Sequence, residues 1–218
     1  MNVILASSSP RRRDLLTELG IRFESMSPRV EELRRPGESA SDYVARNAVR
    51  KAEWVARRLG AEASDRLLVI AADTVVVIQE NILEKPRDQA DAFSMLTELS
   101  ERVHCVMTGV CMLHIHHGLA RDRRQFVETT EVEFRRLEPK EIQDYIETGE
   151  PMDKAGAYAI QGWGKNLAKQ IRGSYSNVVG LPVERVMRVV EEWGGVVDGR
   201  PVADQQLHLG HSGSSTNA

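Results

Sequence analysis

The sequence predicts an α/β fold, a mixed sheet with flanking helices. Three observations carry this. Short apolar, β-prone runs recur at Val3 to Ala6, Leu67 to Ala72, Val75 to Ile78 and Val103 to Ile115. Between the first two lies a long segment of helical period, with an apolar stripe of Val44, Ala48, Ala52, Val55 and Leu59. The chain has 218 residues, 41% of them apolar, and 16 glycines. That suits one sizeable domain, or two lobes sharing a sheet.

The elements follow in order. Val3 to Ala6 reads as a buried strand that breaks at Ser7-Ser8-Ser9-Pro10. Ser9 is a natural N-cap and Pro10 a natural first helical residue, so a helix runs from there through Leu15, Leu16 and Leu19 to Gly20. Ile21 to Met26 reads as a second short strand, and Pro28 to Pro36 as a charged loop. Ser39 or Ser41 caps the long helix, which ends at Leu59-Gly60. Leu67 to Ala72 is a buried strand, interrupted at Asp73-Thr74 and resumed by Val75 to Ile78. Gln79-Glu80-Asn81 turns into Ile82-Leu83 as a hairpin, and Asp88 caps a helix through Leu99. Val103 to Ile115 is a long strand, His116-His117-Gly118 a turn, and Gln125 to Phe134 the returning strand. Pro139 starts a short helix to Ile146 that Thr148-Gly149-Glu150-Pro151 ends. Asp153 to Pro182 is Gly-rich and reads as short strands and loops, and Pro182 opens a last helix to about Trp193. Residues 1–198 are expected to form a single domain, and 199–218, rich in Gly, Ser, Asn and Gln, a disordered tail.

Charge narrows the function classes. With 29 Lys+Arg against 32 Asp+Glu, the net charge of −3 argues against a nucleic-acid coat. The cations are 23 Arg and only 6 Lys, and Arg is the better fork for phosphate oxygens. The two cysteines, Cys105 and Cys111, fall on one face of one strand, where a mutual bridge is geometrically poor. That fits a reducing compartment. No run of 18 apolar residues marks a membrane span, and Met1 to Ser9 lacks the basic leader of a signal peptide.

Two places stand out chemically. Arg11-Arg12-Arg13 falls in the first turn of a helix, against the positive end of its dipole, at a cost of roughly 0.3–1 kcal/mol each. An anion on the free N–H groups reconciles them; the alternative is ion pairing with Asp14 and Glu18. Asp73 lies between two apolar runs, where a carboxylate needs a cation, a metal or hydrogen bonds, or else serves as a turn or cap residue. Lys51, beside the long helix's stripe, and Lys85, after the hairpin, are either cleft cations or snorkelling surface lysines. His114, His116 and His117 crowd a strand end, but no second cluster completes a zinc site. Cys105 reads as a small buried apolar residue, since no paired base accompanies it.

Four motifs then coincide in order. Leu5-Ala6-Ser7-Ser8-Ser9-Pro10-Arg11-Arg12 resembles the opening motif of the Maf family of nucleotide pyrophosphatases. Ala71-Ala72-Asp73-Thr74-Val75-Val76 resembles its central strand motif, followed by the lysine motif Ile82-Leu83-Glu84-Lys85-Pro86. Asp153 to Gly162 and Gly173 to Pro182 resemble the third and fourth, in the form of the dTTP/UTP branch rather than the 7-methyl-GTP branch. The likeness covers about residues 2 to 195.

The resemblance implies two lobes around a central cleft, as in inosine triphosphate pyrophosphatase. It implies hydrolysis of dTTP and UTP, or modified pyrimidine nucleotides, to the monophosphate and pyrophosphate with a divalent cation (Mg²⁺, Mn²⁺ or Co²⁺). Asp73 matches the family's catalytic acid/base, and Ser7, Arg11, Arg12, Lys51 and Lys85 its substrate- and phosphate-binding residues. Arg11, Thr74 and Gln161 match positions tied to base choice, and Glu32 and Asp73 are the candidate metal ligands. Ala159 stands where Gly is common in the family. A cytoplasmic homodimer acting on free nucleotides, without nucleic acid polymer or membrane, is the expectation. Two alternatives stand: a non-enzymatic nucleotide-binding regulator of cell division, and a pyrophosphatase for non-standard purine nucleotides.

Overall fold

A computed structural model describes residues 2–60, 66–194, 196–197 and 200–201. Its centre is a seven-stranded mixed sheet in the order β2-β1-β3-β5-β6-β7, with β4 also paired to β3. The strands are β1 (Asn2–Ala6), β2 (Glu24–Ser25), β3 (Leu67–Ile78), β4 (Asn81–Leu83), β5 (Val103–His116), β6 (Leu119–Phe134) and β7 (Ala168–Arg172). The helices are α1 (Pro10–Glu18), α2 (Ala40–Leu59), α3 (Gln89–Leu99), α4 (Pro139–Glu147), α5 (Tyr175–Val179) and α6 (Val183–Glu192). A small hairpin, β8 (Val196–Val197) with β9 (Arg200–Pro201), follows. The expected tail, 199–218, lies outside the described residues apart from Arg200 and Pro201.

Both faces of the sheet are covered. On one, α2 lays Ala48, Ala52 and Val55 against Ile4, Val69, Ala71, Cys111 and Leu113. On the other, Leu15, Leu16, Leu96, Ile142, Val179 and Val186 from the remaining helices pack on Leu5, Leu68, Ile70, Met112 and Phe134. A strand covered on both faces must be apolar throughout, which is why β3 is a near-continuous apolar run. Each of its fully buried Leu or Ile side chains contributes about 1.5–3 kcal/mol.

Several elements differ from expectation. The strand at Asp73-Thr74 is not interrupted, because both residues pair with β5, opposite Gly109 and Thr108. The strand expected over Ile21 to Met26 is only Glu24–Ser25, while Ile21 turns into the core. β6 begins at Leu119 rather than Gln125; its charged start is a strand because it pairs with the end of β5 while its side chains face solvent. The Gly-rich stretch contains α5 as well as β7 and 3-10 turns at Ala155–Ala157 and Gly162–Asn166, and a further 3-10 turn, Glu150–Asp153, leads into it. Ser39, not Ser41, caps α2, accepting from the Asp42 N–H at 3.1 Å. Ser9 occupies the N-cap of α1 but its hydroxyl caps nothing. Instead the Ser7 hydroxyl accepts the Ser9 N–H at 3.1 Å.

The sheet's topology makes the site. On one edge β3 pairs with β5 along 67–77. On its other edge, 67–71 pair in parallel with β1 and 76–78 antiparallel with β4. Residues 72–75 therefore have one edge without a strand neighbour, just beyond the carboxyl end of β1, where ligand sites collect in α/β sheets. Asp73 and Thr74 sit in that gap.

Candidate active site

Adjacent residues of a strand point to opposite faces, so Asp73 turns toward α2 and Thr74 toward α1. The cleft of about 510 Å³ wraps around this bare edge and receives both. It is within the size range of small-ligand sites.

On the α2 side, Tyr43, Asn47 and Lys51 lie one helical turn apart and present their polar ends in a row. Lys51 Nζ donates to Asp73 Oδ1 at 2.6 Å, and Asn47 Nδ2 to Asp73 Oδ2 at 2.9 Å. Lys51 also reaches Glu32 Oε1 at 3.0 Å, from the loop before α2. The Tyr43 hydroxyl sits 2.7 Å from the Glu32 carbonyl oxygen and 2.5 Å from Glu84 Oε1. Asp73 is only 6% exposed. Burial alone would raise its pKa, but the charge and hydrogen bond of Lys51, the Asn47 amide and the Arg12 charge together hold it below the usual carboxylate range. Burial, with the Glu84 carboxylate, pushes the Tyr43 phenol up.

On the α1 side, Arg12 is buried and its guanidinium is a tie. Nε donates to the Gly180 carbonyl at 2.7 Å, Nη1 to Ser7 Oγ at 3.2 Å and Nη2 to Thr74 Oγ1 at 2.9 Å. Thr74 Oγ1 is also 2.9 Å from Thr108 Oγ1. Arg11 is half-buried, its Nε has no hydrogen-bond partner among the described residues, and it feels the charges of Asp153 and Glu150. Burial lowers the pKa of both guanidinium groups. Arg13 is exposed. The triplet thus splits three ways, and its inner two members turn into the cleft instead of running along the helix toward Asp14 and Glu18.

Every sequence-predicted site residue lines this one cleft: Ser7, Arg11, Arg12, Glu32, Lys51, Asp73, Thr74, Lys85 and Gln161. Lys51 is buried, not snorkelling, whereas Lys85 is exposed at the rim. Missed were Tyr43, Asn47, Glu84 and Lys154, which line or support the same cleft. The signal for Asn47 was its place beside the apolar stripe of α2, where a polar residue needs a partner. Glu32 and Asp73 surround one lysine ammonium, and the oxygen of the Asn47 amide, which also bonds Asp73, is buried without a hydrogen-bond partner among the described residues. These are the oxygen donors that could hold a divalent cation, which needs only one or two carboxylates when phosphate oxygens complete its shell.

Among the described residues no three His, Cys, Asp or Glu side chains are grouped to hold an ion. His114 stacks on Trp193 instead, and the His116 and His117 rings meet each other. Cys111 is buried, and burial pushes its thiol up to about 12, which makes it inert. No described helix is long and apolar enough to cross a membrane.

The profile of the family described as Maf-like protein matches residues 2–193. The chain belongs to the Maf family. A dTTP/UTP pyrophosphatase from Vibrio vulnificus (strain YJ016) is 44% identical over 191 residues, 88% of this chain and 98% of the relative. A dTTP/UTP pyrophosphatase from Syntrophomonas wolfei is 45% identical over 190 residues, 87% of this chain and 96% of the relative. A third, from Yersinia pestis bv. Antiqua, is 50% identical over 180 residues, 82% of this chain and 86% of the relative. Among solved structures, a dITP/XTP pyrophosphatase from Mycobacterium abscessus is 15% identical, with a TM-score of 0.39, over 89% of this chain and 94% of that one.

Proposed function

We propose that this Maf-family chain hydrolyses dTTP and UTP to the nucleoside monophosphate and pyrophosphate. The observation that carries the proposal is Asp73: a buried carboxylate in a strand gap, fixed by Lys51 and Asn47, in a cleft ringed by Arg and Lys. The three relatives named above share the substrate pair in their names.

A triphosphate carries about four negative charges, and Arg11, Arg12, Lys51 and Lys85 supply the opposing charge. Asp73 accepts a proton from water and orients it toward the α-phosphorus. Each of its oxygens has two lone pairs, so one remains free on each after Lys51 and Asn47 are bonded. The bond from the α-phosphorus to the bridging oxygen breaks, and pyrophosphate leaves with that oxygen. The cations stabilise charge as it develops on the transferred and leaving groups. Glu32 and Asp73 would hold the divalent cation, Mg²⁺, Mn²⁺ or Co²⁺, which supplies further charge neutralisation on phosphate oxygens. Gln161 offers both a donor and an acceptor to the O4/N3 edge of uracil or thymine. Cytosine reverses that order, so an amide held in one orientation favours uracil and thymine over cytosine. Arg11 and Thr74 flank the choice of base.

The same proposal includes a cytoplasmic homodimer with free nucleotide, not nucleic acid or membrane, as its partner. The small net charge of −3 speaks against a nucleic-acid partner, and light scattering tests the dimer against the 24.4 kDa chain mass.

The deciding experiment is pyrophosphate release from canonical and modified triphosphates, with each divalent cation and with chelator. Selective, chelator-sensitive cleavage of dTTP and UTP is expected, with Asp73→Asn abolishing turnover while still binding nucleotide. Near-normal turnover in that variant removes Asp73 from the mechanism. Binding without turnover in the wild type would favour a regulator.

A further inference from the structure

Gln161 lines the cleft but belongs to an irregular segment, so its position needs an anchor. The anchor lies behind it. Glu150 Oε1 accepts the Gly164 N–H at 3.1 Å and the Tyr145 hydroxyl at 2.8 Å, while Oε2 accepts the Trp163 N–H at 3.2 Å. The Tyr145 oxygen in turn accepts the Ala159 N–H at 3.1 Å. Backbone donors on both sides of Gln161 thus converge on one carboxylate and one phenol.

The segment is shaped to this pair. Gly162 has φ +64°, and a Cβ there would come within 2.6 Å of Glu150 Oε2. A Cβ on Gly164 would lie 2.2 Å from the Ala159 carbonyl oxygen and 2.6 Å from the Tyr145 hydroxyl. Neither distance is tolerable, so both glycines are needed for the loop to close on Tyr145 and Glu150. The Trp163 indole stacks on the Tyr145 ring at 5.6 Å and 13°. Arg11, the other base-side residue, feels the charge of the same Tyr145 and Glu150.

We propose that Glu150, through Tyr145 and the backbone of residues 159–164, is a positioning residue for base selection. It touches no substrate. It fixes where the Gln161 amide stands, and so which pyrimidine edge the amide accepts. An amide that moves by an ångström meets O4 and N3 with poor geometry and loses the contrast with cytosine. The inference rests on base reading by Gln161.

The experiment is a ratio, kcat/KM for UTP over that for CTP, in the wild type and in Gln161→Ala, Glu150→Ala, Glu150→Gln, Tyr145→Phe and the Glu150→Ala/Gln161→Ala double variant. Glu150→Ala should lower the ratio about tenfold, mainly through KM for UTP, because one or two well-made hydrogen bonds to the base lose their geometry. Glu150→Gln and Tyr145→Phe should lower it less. The double variant should be no less selective than Gln161→Ala alone, since both act through one contact. Hydrogen exchange at the Trp163 and Gly164 amides should quicken in Glu150→Ala.

Three results would overturn the proposal: an unchanged ratio in the Glu150 variants while Gln161→Ala loses it, an equal rate loss for every nucleotide, or additive losses in the double variant. An unchanged ratio in Gln161→Ala would instead defeat the base-reading assignment, and this proposal with it. If Glu150→Ala fails to fold, Glu150→Gln and Tyr145→Phe decide the matter by the same ratio.

Discussion

Asp73 and Gly109 face each other across the β3–β5 ladder, and the missing side chain at Gly109 is what lets α2 settle beside Asp73. A Cβ on Gly109 would lie 2.4 Å from both the carbonyl carbon and the oxygen of Val44. Val44 is one helical turn from Asn47 and two from Lys51, so lifting α2 there withdraws both donors from Asp73. Gly109→Ala should cost about 1–3 kcal/mol as an overpacking change and lower kcat at least about tenfold. Denaturant melts and turnover measured together check it. A variant with normal turnover would mean that α2 has slack here.

Lys51 is the counter-charge of a buried carboxylate, at 2.6 Å. Lys51→Met leaves Asp73 and Glu32 facing each other with no cation between them. Breaking a buried pair by removing one partner costs about 3–5 kcal/mol. It also removes the main force holding the Asp73 pKa down, so that pKa rises and the acid limb of the pH–rate profile moves to higher pH. Adding Asp73→Asn to Lys51→Met should recover part of the lost stability. Strictly additive losses would show that the two residues are not energetically coupled.

His104 gives the fold a pH dependence of its own. Its ring is buried against Phe134 and Tyr158, with Nε2 2.8 Å from the Tyr158 hydroxyl. Burial lowers its pKa from 6.5 to about 4. The unfolded chain takes up this proton as pH falls through 6.5, while the folded chain refuses it until about 4. The stability contribution is whole above pH 6.5, is lost between 6.5 and 4, and falls no further below 4. The loss over that window is about 3 kcal/mol. Melting temperatures from pH 7 to 4 should fall more steeply in the wild type than in His104→Phe, and parallel curves would exclude the histidine.

Part of this was readable in the residues and part was not. The α2 stripe and the apolar runs of β1 and β3 announce their elements, because burial leaves period and composition in the sequence, whereas the choice between Ser39 and Ser41 as the α2 cap had to come from the structure. Asp73 announced itself by incongruity. The break expected at Asp73-Thr74 was wrong because a polar pair can stay in a strand when its backbone pairs with Gly109 and Thr108, and nothing near residue 73 reveals that. Asn47 was missed because its partner lies 26 residues away. Glu150 was missed because its partners are mainly backbone N–H groups, which every residue carries. Long-range pairing and backbone donors leave no local trace, whereas hydrophobic period does.

Arg11 and Arg12 are neighbours in sequence with opposite expected behaviour. Arg12 spans three parts of the fold, tying α1 to Gly180, Ser7 and Thr74 with three donors. A lysine there keeps the charge but lacks the planar fork and cannot reach all three acceptors. Arg12→Lys should therefore destabilise the chain by about 2 kcal/mol, two net hydrogen bonds to a charged group offset by some repacking, and should lower kcat/KM as well. Arg11 has a buried Nε with no hydrogen-bond partner among the described residues, so removing it relieves a desolvation cost. Arg11→Met should leave stability within about 0.5 kcal/mol and raise KM for UTP about tenfold, through one lost charge-assisted contact to phosphate or base. Melts without nucleotide isolate the structural effect, and melts at saturating nucleotide isolate the binding effect. Equal destabilisation by the two variants without nucleotide would mean that Arg11 is structural as well, and that the cleft has one fewer free cation for the triphosphate.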